Sequence, residues 1–142
     1  MSCSSRIDRP LPASFFQRDA QCLAQALLGK VIRHYHNGLW LSARIIETEA
    51  YYLAEKGSHA SLGYTEKRRA LFMDGGYIYM YYARGGDSLN FSAAGPGNAV
   101  LIKSAYPWQD ALSGAQALAR MQHNNPDRQG RARSVERLCA GQ

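Results

Sequence analysis

Glu47 and Glu49 stand two residues apart in Ile45-Ile46-Glu47-Thr48-Glu49-Ala50-Tyr51-Tyr52, at the end of an apolar run. A carboxylate held in a cleft can position and deprotonate a water molecule for attack on an acetal-like carbon. Sugar hydrolases commonly set two carboxylates on opposite sides of the scissile bond. Residues i and i+2 of a strand point the same way, about 7 Å apart along the chain, so these two acids do not flank a substrate. The spacing favours one base with a structural neighbour. The alternative is a pair of strand-end acids matched to Arg44 or another cation.

Tyr51 shares the side of Glu49 and brings a ring beside its carboxylate. Tyr77, Tyr79 and Tyr81 fall on one face of a later strand, with Ile78, Met80 and Tyr82 on the other. Such a row serves either as cross-strand packing or as a stacking platform, because every nucleobase offers a π face. Arg84, in the turn that follows, adds charge to the second reading. Lys103 ends an apolar strand, where an ammonium requires a counter-charge or a cleft. A Schiff-base role is conceivable for it; a phosphate or carboxylate contact is simpler. His59 lies in a polar loop. His34 and His36 share one side of a strand, but no acids or cysteines stand in register with them, and no metal site is expected. Cys3, Cys22 and Cys139 are odd in number and form no C-x-x-C pair, so they read as reduced thiols serving as small apolar residues.

The elements that must hold these residues follow from pattern. Residues 1–14 form an irregular arm, with Pro10 and Pro12 discouraging a helix. A helix is predicted from Asp19 through Cys22, Leu23, Ala26, Leu27 and Leu28, stopping at Gly29. Val31–His36 and Leu39–Tyr51 are predicted strands joined by Asn37-Gly38, a favoured two-residue turn. Period two places Leu39, Leu41, Ala43, Ile45, Glu47, Glu49 and Tyr51 on one inward face. Residues 52–69 read as a long loop of the kind that is functional or mobile. Strands are predicted over Tyr77–Tyr82, Leu89–Ser92 and Ala99–Ser104. Ala111, Leu112, Ala115, Leu118, Ala119 and Met121 predict a helix weakened by Ser113-Gly114, and Val135–Cys139 begins another. This order gives an α+β fold, a mixed, mainly antiparallel sheet with hairpins and flanking helices in one domain.

With 142 residues, 46% hydrophobic and 20% charged, the chain has the composition of a single globular domain. The net charge of +6 gathers at Lys67-Arg68-Arg69 and over Arg128–Arg137, pointing to a polyanion partner or to a solvated basic face. No apolar run approaches the roughly 20 residues that cross a bilayer, and the first residues lack the apolar centre of a secretory signal. A cytoplasmic protein with no membrane partner is expected.

The stretches LLGKVIRHYHNGLWLSARIIETEAY, SHAS, LFMDGGYIYMYY, LNFSAAGPGNAVLIKSAYP and VERLCAGQ resemble, in order, 3-methyladenine DNA glycosylases of the alkyladenine type. The likeness runs over residues 15–142. It implies a monomeric, monofunctional enzyme that flips an alkylated purine from double-stranded DNA and hydrolyses its N-glycosylic bond without a metal or organic cofactor. By that resemblance Glu49 is the general base. Tyr51 stacks on one face of the flipped base, His59 packs or donates at its edge, and Tyr81 is the second stacking tyrosine. Asn90 crowds the amino group of undamaged guanine. Lys103 falls where many members carry an arginine near the catalytic water and the DNA backbone. Arg68 and Arg69, from the basic cluster, are further DNA contacts.

Two departures qualify the likeness. The hairpin reads Ala83-Arg84-Gly85-Gly86 where many members carry a tyrosine that wedges into the minor groove, so Arg84 is the substitute wedge. The family's chain also continues past the position of Gln142, with backbone that helps hold the catalytic water. The alternative function is therefore a catalytically incompetent protein that recognises lesions or distorted duplex. A carbohydrate hydrolase using Glu47 and Glu49 is disfavoured by same-face acids and a basic surface.

Overall fold

The computed structural model describes residues 9–83 and 86–138. Asn37 and Gly38 carry φ angles of 47° and 82°, the paired positive values that a type I′ turn requires. They fold β1 (Val31–His36) onto β2 (Leu39–Tyr51), with His36 opposite Leu39 and Val31 opposite Arg44. β3 (Ile78–Ala83), β4 (Gly86–Ser92) and β5 (Ala99–Pro107) complete one antiparallel sheet in the order β1-β2-β5-β4-β3. The α+β expectation holds, in a single small domain. β4 and β5 each extend three residues beyond the predicted strands, β4 at its start and β5 at its end.

Helix α1 (Ala20–Leu27) covers one face of the sheet. Its cap, Asp19, accepts a hydrogen bond from the Gln21 backbone N–H at 3.1 Å and one from the Tyr52 hydroxyl at 2.7 Å. Ala20, Leu23, Ala24 and Leu27 are buried at helical spacing against Ile45, Ala93 and Val100. The predicted apolar row is corrected here, since Cys22 and Leu28 are exposed. Cys22 sits about 100° round the axis from Leu23, outside the buried stripe, so its thiol does not pack as a core residue. Cys3 and Cys139 lie outside the described residues.

The continuous row predicted along β2 is also corrected. Ile45 stands opposite Ala105, Glu47 opposite Ser104 and Thr48 opposite Ile102. Ile46 is thus an extra residue on β2, and Lys103 an extra one on β5, a pair of bulges that offset one another. Ile45 packs towards α1, and beyond the bulge Thr48, Ala50 and Tyr52 take over that face. The Thr48 hydroxyl donates to the Ala24 carbonyl at 2.8 Å, while Ala50 and Tyr52 pack against the α1 core. Glu49 and Tyr51 therefore turn to the opposite face, and Glu47 is left exposed at the bulge.

The predicted long loop after β2 contains two 3-10 helices, His59–Leu62 and Glu66–Phe72. Each has a local cap. The Ser58 hydroxyl accepts from the Ala60 N–H at 3.1 Å and the Thr65 hydroxyl from the Arg68 N–H at 3.2 Å. The Gln17 side-chain amide both accepts from and donates to the Gly75 backbone, at 3.1 and 3.2 Å, anchoring the turn that enters β3.

Beyond β5, Ala111 and Leu112 fall outside the predicted helix. The Asp110 carboxylate accepts the backbone N–H groups of Leu112 and Ser113 at 3.0 and 3.1 Å, an Asx-type turn that competes with helix. Helix α2 (Ala115–Asn124) starts after it, and a short α3 spans Val135–Leu138. Asp110 also pairs with Arg33, whose guanidinium donates to the Ser42 hydroxyl at 2.8 Å, tying this turn to the first hairpin. No helix among the described residues is long and apolar enough to cross a membrane.

Candidate active site

The face of the sheet opposite α1 opens into a cleft of about 340 Å³, at the lower end of the roughly 300–1,000 Å³ common for small-molecule sites. Three strands supply its polar floor in alternate positions, which is the period of the pleat. β2 contributes Glu49 and Tyr51, β5 contributes Ala99, Leu101 and Lys103, and β4 contributes Ser88 and Asn90. Tyr79 and Tyr81 of β3 and His59 of the first 3-10 helix form the opposite wall.

Glu49 is the centre of charge in this cleft. The Tyr51 hydroxyl donates to its Oε2 at 2.7 Å, and the Lys103 ammonium lies 3.8 Å from its Oε1. The bulge at Lys103 brings the amine to that point by adding a residue to β5. The carboxylate is fixed on one oxygen and open towards a cation on the other. The hydrogen bond to Glu49, with burial second, pushes the Tyr51 phenol up to about 12, so Tyr51 remains a neutral donor throughout the physiological range.

The aromatic wall is built as a stack. The rings of His59 and Tyr81 lie 4.0 Å apart between centroids, tilted by 36°. His59 Nδ1 is 3.1 Å from the Tyr79 hydroxyl, and the rings of Tyr79 and Tyr81 are 5.7 Å apart. Burial raises the Tyr79 phenol above its ordinary value, which keeps its proton available to the imidazole. Asn90 is 6% exposed, and its side-chain amide donates to the Tyr79 carbonyl at 3.2 Å. That bond fixes which edge of the amide meets the cleft.

Of the residues singled out from sequence, Glu49, Tyr51, His59, Tyr81, Asn90 and Lys103 converge on this cleft. Arg68 and Arg69 do not line it. They sit on the second 3-10 helix, where the Arg68 guanidinium donates to the Gly63 carbonyl at 2.9 Å and Arg69 is exposed. Arg84, the candidate wedge, lies outside the described residues. Tyr79 belongs to the wall although only Tyr81 was singled out; their shared face on the strand was the signal. Ser58 and Ser88 carried no such signal. His34 and His36 stand on β1 with ring centroids 6.0 Å apart, away from the cleft. Among the described residues no three metal-ligating side chains gather.

Residues 14–142 match the sequence profile of the methylpurine-DNA glycosylase family. The chain is 75% identical over 134 residues to a protein of Pseudomonas aeruginosa strain UCBPP-PA14, covering 94% of this chain and 56% of that protein. It is 73% identical over 139 residues to one from Pseudomonas fluorescens strain Pf0-1, covering 98% and 60%. A more distant relative from Anaeromyxobacter dehalogenans is 39% identical over 106 residues, covering 72% and 51%. All three are provisionally named as 3-methyladenine DNA glycosylases. The chain spans little more than half the length of these relatives.

Proposed function

The chain belongs to the methylpurine-DNA glycosylase family, and from that membership and the geometry of the cleft we propose that it excises alkylated purines from double-stranded DNA. The observation that carries this reading is the Glu49 carboxylate, oriented by Tyr51 and facing Lys103, opposite a wall of aromatic rings. An alkylated purine such as 3-methyladenine carries positive charge on its base. Electron-rich rings attract that cation, by up to about 2 kcal/mol when it is desolvated. The charge also makes the base a good leaving group.

In the proposed reaction the damaged nucleotide rotates out of the duplex into the cleft. Rotation costs a few kcal/mol and is cheapest for a weakened pair. Tyr51 takes one face of the base, and Tyr81 with His59 takes the other. Asn90, held by the Tyr79 carbonyl, meets the edge where guanine would carry its amino group. Glu49 accepts a proton from water as the water attacks C1′. Its negative charge stabilises the oxocarbenium character of the sugar while the C1′–N bond breaks. Lys103 holds Glu49 from the far side and faces the DNA backbone with Arg68, Arg69 and Arg84. The scheme draws on water, a carboxylate and the charge of the base, and requires no metal or organic cofactor. We place it in the bacterial cytoplasm, acting as a monomer on nucleoid DNA.

A second reading has one observation in its favour, because both Glu49 oxygens already face partners, Tyr51 and Lys103. If they stay so engaged, the chain recognises lesions without releasing bases. Free 3-methyladenine, measured by chromatography after incubation with methylated duplex, separates the two. Release that is lost in Glu49→Gln supports excision. Lesion-selective binding with no release supports the second reading.

A further inference from the structure

We propose that Lys103 captures the abasic sugar left by base excision, as an imine between its Nζ and the C1′ aldehyde. This rests on the proposed excision reaction and adds a chemical step to the same site. The relevant geometry is the 3.8 Å separation between Lys103 Nζ and Glu49 Oε1, at the bulge that turns the amine into the cleft. A water bound to Glu49 lies about 3 Å from its oxygens, at hydrogen-bond distance. The carbon that such a water attacks is therefore within reach of Nζ, separated from it by no wall of the cleft.

Residue type decides what can follow. A guanidinium at this position stays charged at any accessible pH and offers no lone pair, whereas a lysine amine is a nucleophile whenever it sheds its proton. Glu49 lies close enough to receive that proton. The abasic product is a hemiacetal in equilibrium with its ring-opened aldehyde. The Nζ lone pair adds to C1′, and the carbonyl π electrons move to oxygen. The carbinolamine is protonated on oxygen and loses it as water, leaving a protonated C1′=Nζ imine. One amine and one aldehyde give one imine and one water, with no oxidant or reductant. Hydrolysis of the imine returns the free lysine and the abasic strand.

The test uses the 142-residue chain and a duplex with a preformed abasic site, so that base release is bypassed. Sodium borohydride supplies hydride to reduce the imine to a stable amine, and the adduct is read by denaturing gel and peptide mass mapping. Binding of the same duplex is followed by fluorescence anisotropy. The expected result is a one-to-one adduct mapped to Lys103, reduced at least tenfold in Lys103→Arg, whose fold is checked by circular dichroism. Adduct on another amine, or none while the duplex is bound, overturns the inference and leaves the excision reading intact. Absence of duplex binding overturns both. Base release without any adduct overturns the imine alone.

Discussion

Replacing Glu49 by glutamine should lower the titration of the Tyr51 phenol by at least one pH unit. In the native chain that phenol is raised from 10.0 to about 12, first by its hydrogen bond to Glu49, then by burial and by the charge of the carboxylate. Glutamine keeps the size of the side chain and an accepting oxygen but removes the charge that opposes phenolate. Burial and the neighbouring Tyr81 and Glu55 remain, so the variant phenol should titrate between about 10 and 11. A two-unit shift corresponds to roughly 2.7 kcal/mol as a ceiling. Because Tyr51 is only half-buried, about 1–2 kcal/mol is the expected coupling after solvent screening. The folded-state value lies above the unfolded one, so this stabilisation is complete below pH 10 and is lost as pH rises through 12. NMR of chains carrying ¹³C-labelled tyrosine, titrated from pH 8 to 12.5, reads the phenol directly. A Tyr51 resonance that titrates at the same pH in Glu49→Gln as in the native chain would refute the contact on which the site's electrostatics rest.

Two further substitutions test the frame that holds the cleft. Arg33→Met should lower stability by about 2–3 kcal/mol, read from the urea midpoint at pH 7. Removing one partner of a buried pair costs about 3–5 kcal/mol, and these side chains retain 15% and 13% exposure. The hydrogen bond from Arg33 holds the Asp110 carboxyl at about 2. That contribution is present above the ordinary carboxylate value near 4 and fades as pH falls through 2, so native and variant midpoints should converge below pH 3. Gly75→Ala should destabilise by about 1–3 kcal/mol, since its Cβ would lie 2.1 Å from the Phe16 carbonyl oxygen. The loosened turn should also weaken protection of the β3 amides in hydrogen exchange.

Local chemistry was legible where it decides the structure alone. Asn37-Gly38 determined the first hairpin and its register, and the capping aspartate and Gly29 bounded α1. The buried side of that helix was legible only in part, because Cys22 and Leu28 are apolar enough to join a sequence pattern but face away from Ile45 and Val100. Glu49 and Tyr51 were recognisable as a carboxylate beside a ring, yet the route to the cleft was different. A straight strand would keep them on the same face as Ile45. The offsetting bulges at Ile46 and Lys103 arise from pairing between strands more than 50 positions apart, which no period within β2 records. The same bulge separates Glu47 from Glu49, two acids of equal standing in sequence, and leaves only one in the cleft. Tyr79 and Tyr81 share a strand face, but only the placement of His59 between the two rings of the wall shows why both matter.

The central claim is that Glu49 activates water at the sugar carbon. It is tested most directly by the single-turnover rate of 3-methyladenine release from methylated duplex, comparing this chain with its Glu49→Gln variant. Loss of a positioned general base removes a factor of about 10²–10⁴, so the account predicts release by the native chain and a fall of at least 100-fold in the variant, with duplex binding retained. Equal release rates in the two proteins, or no release from either, would contradict it.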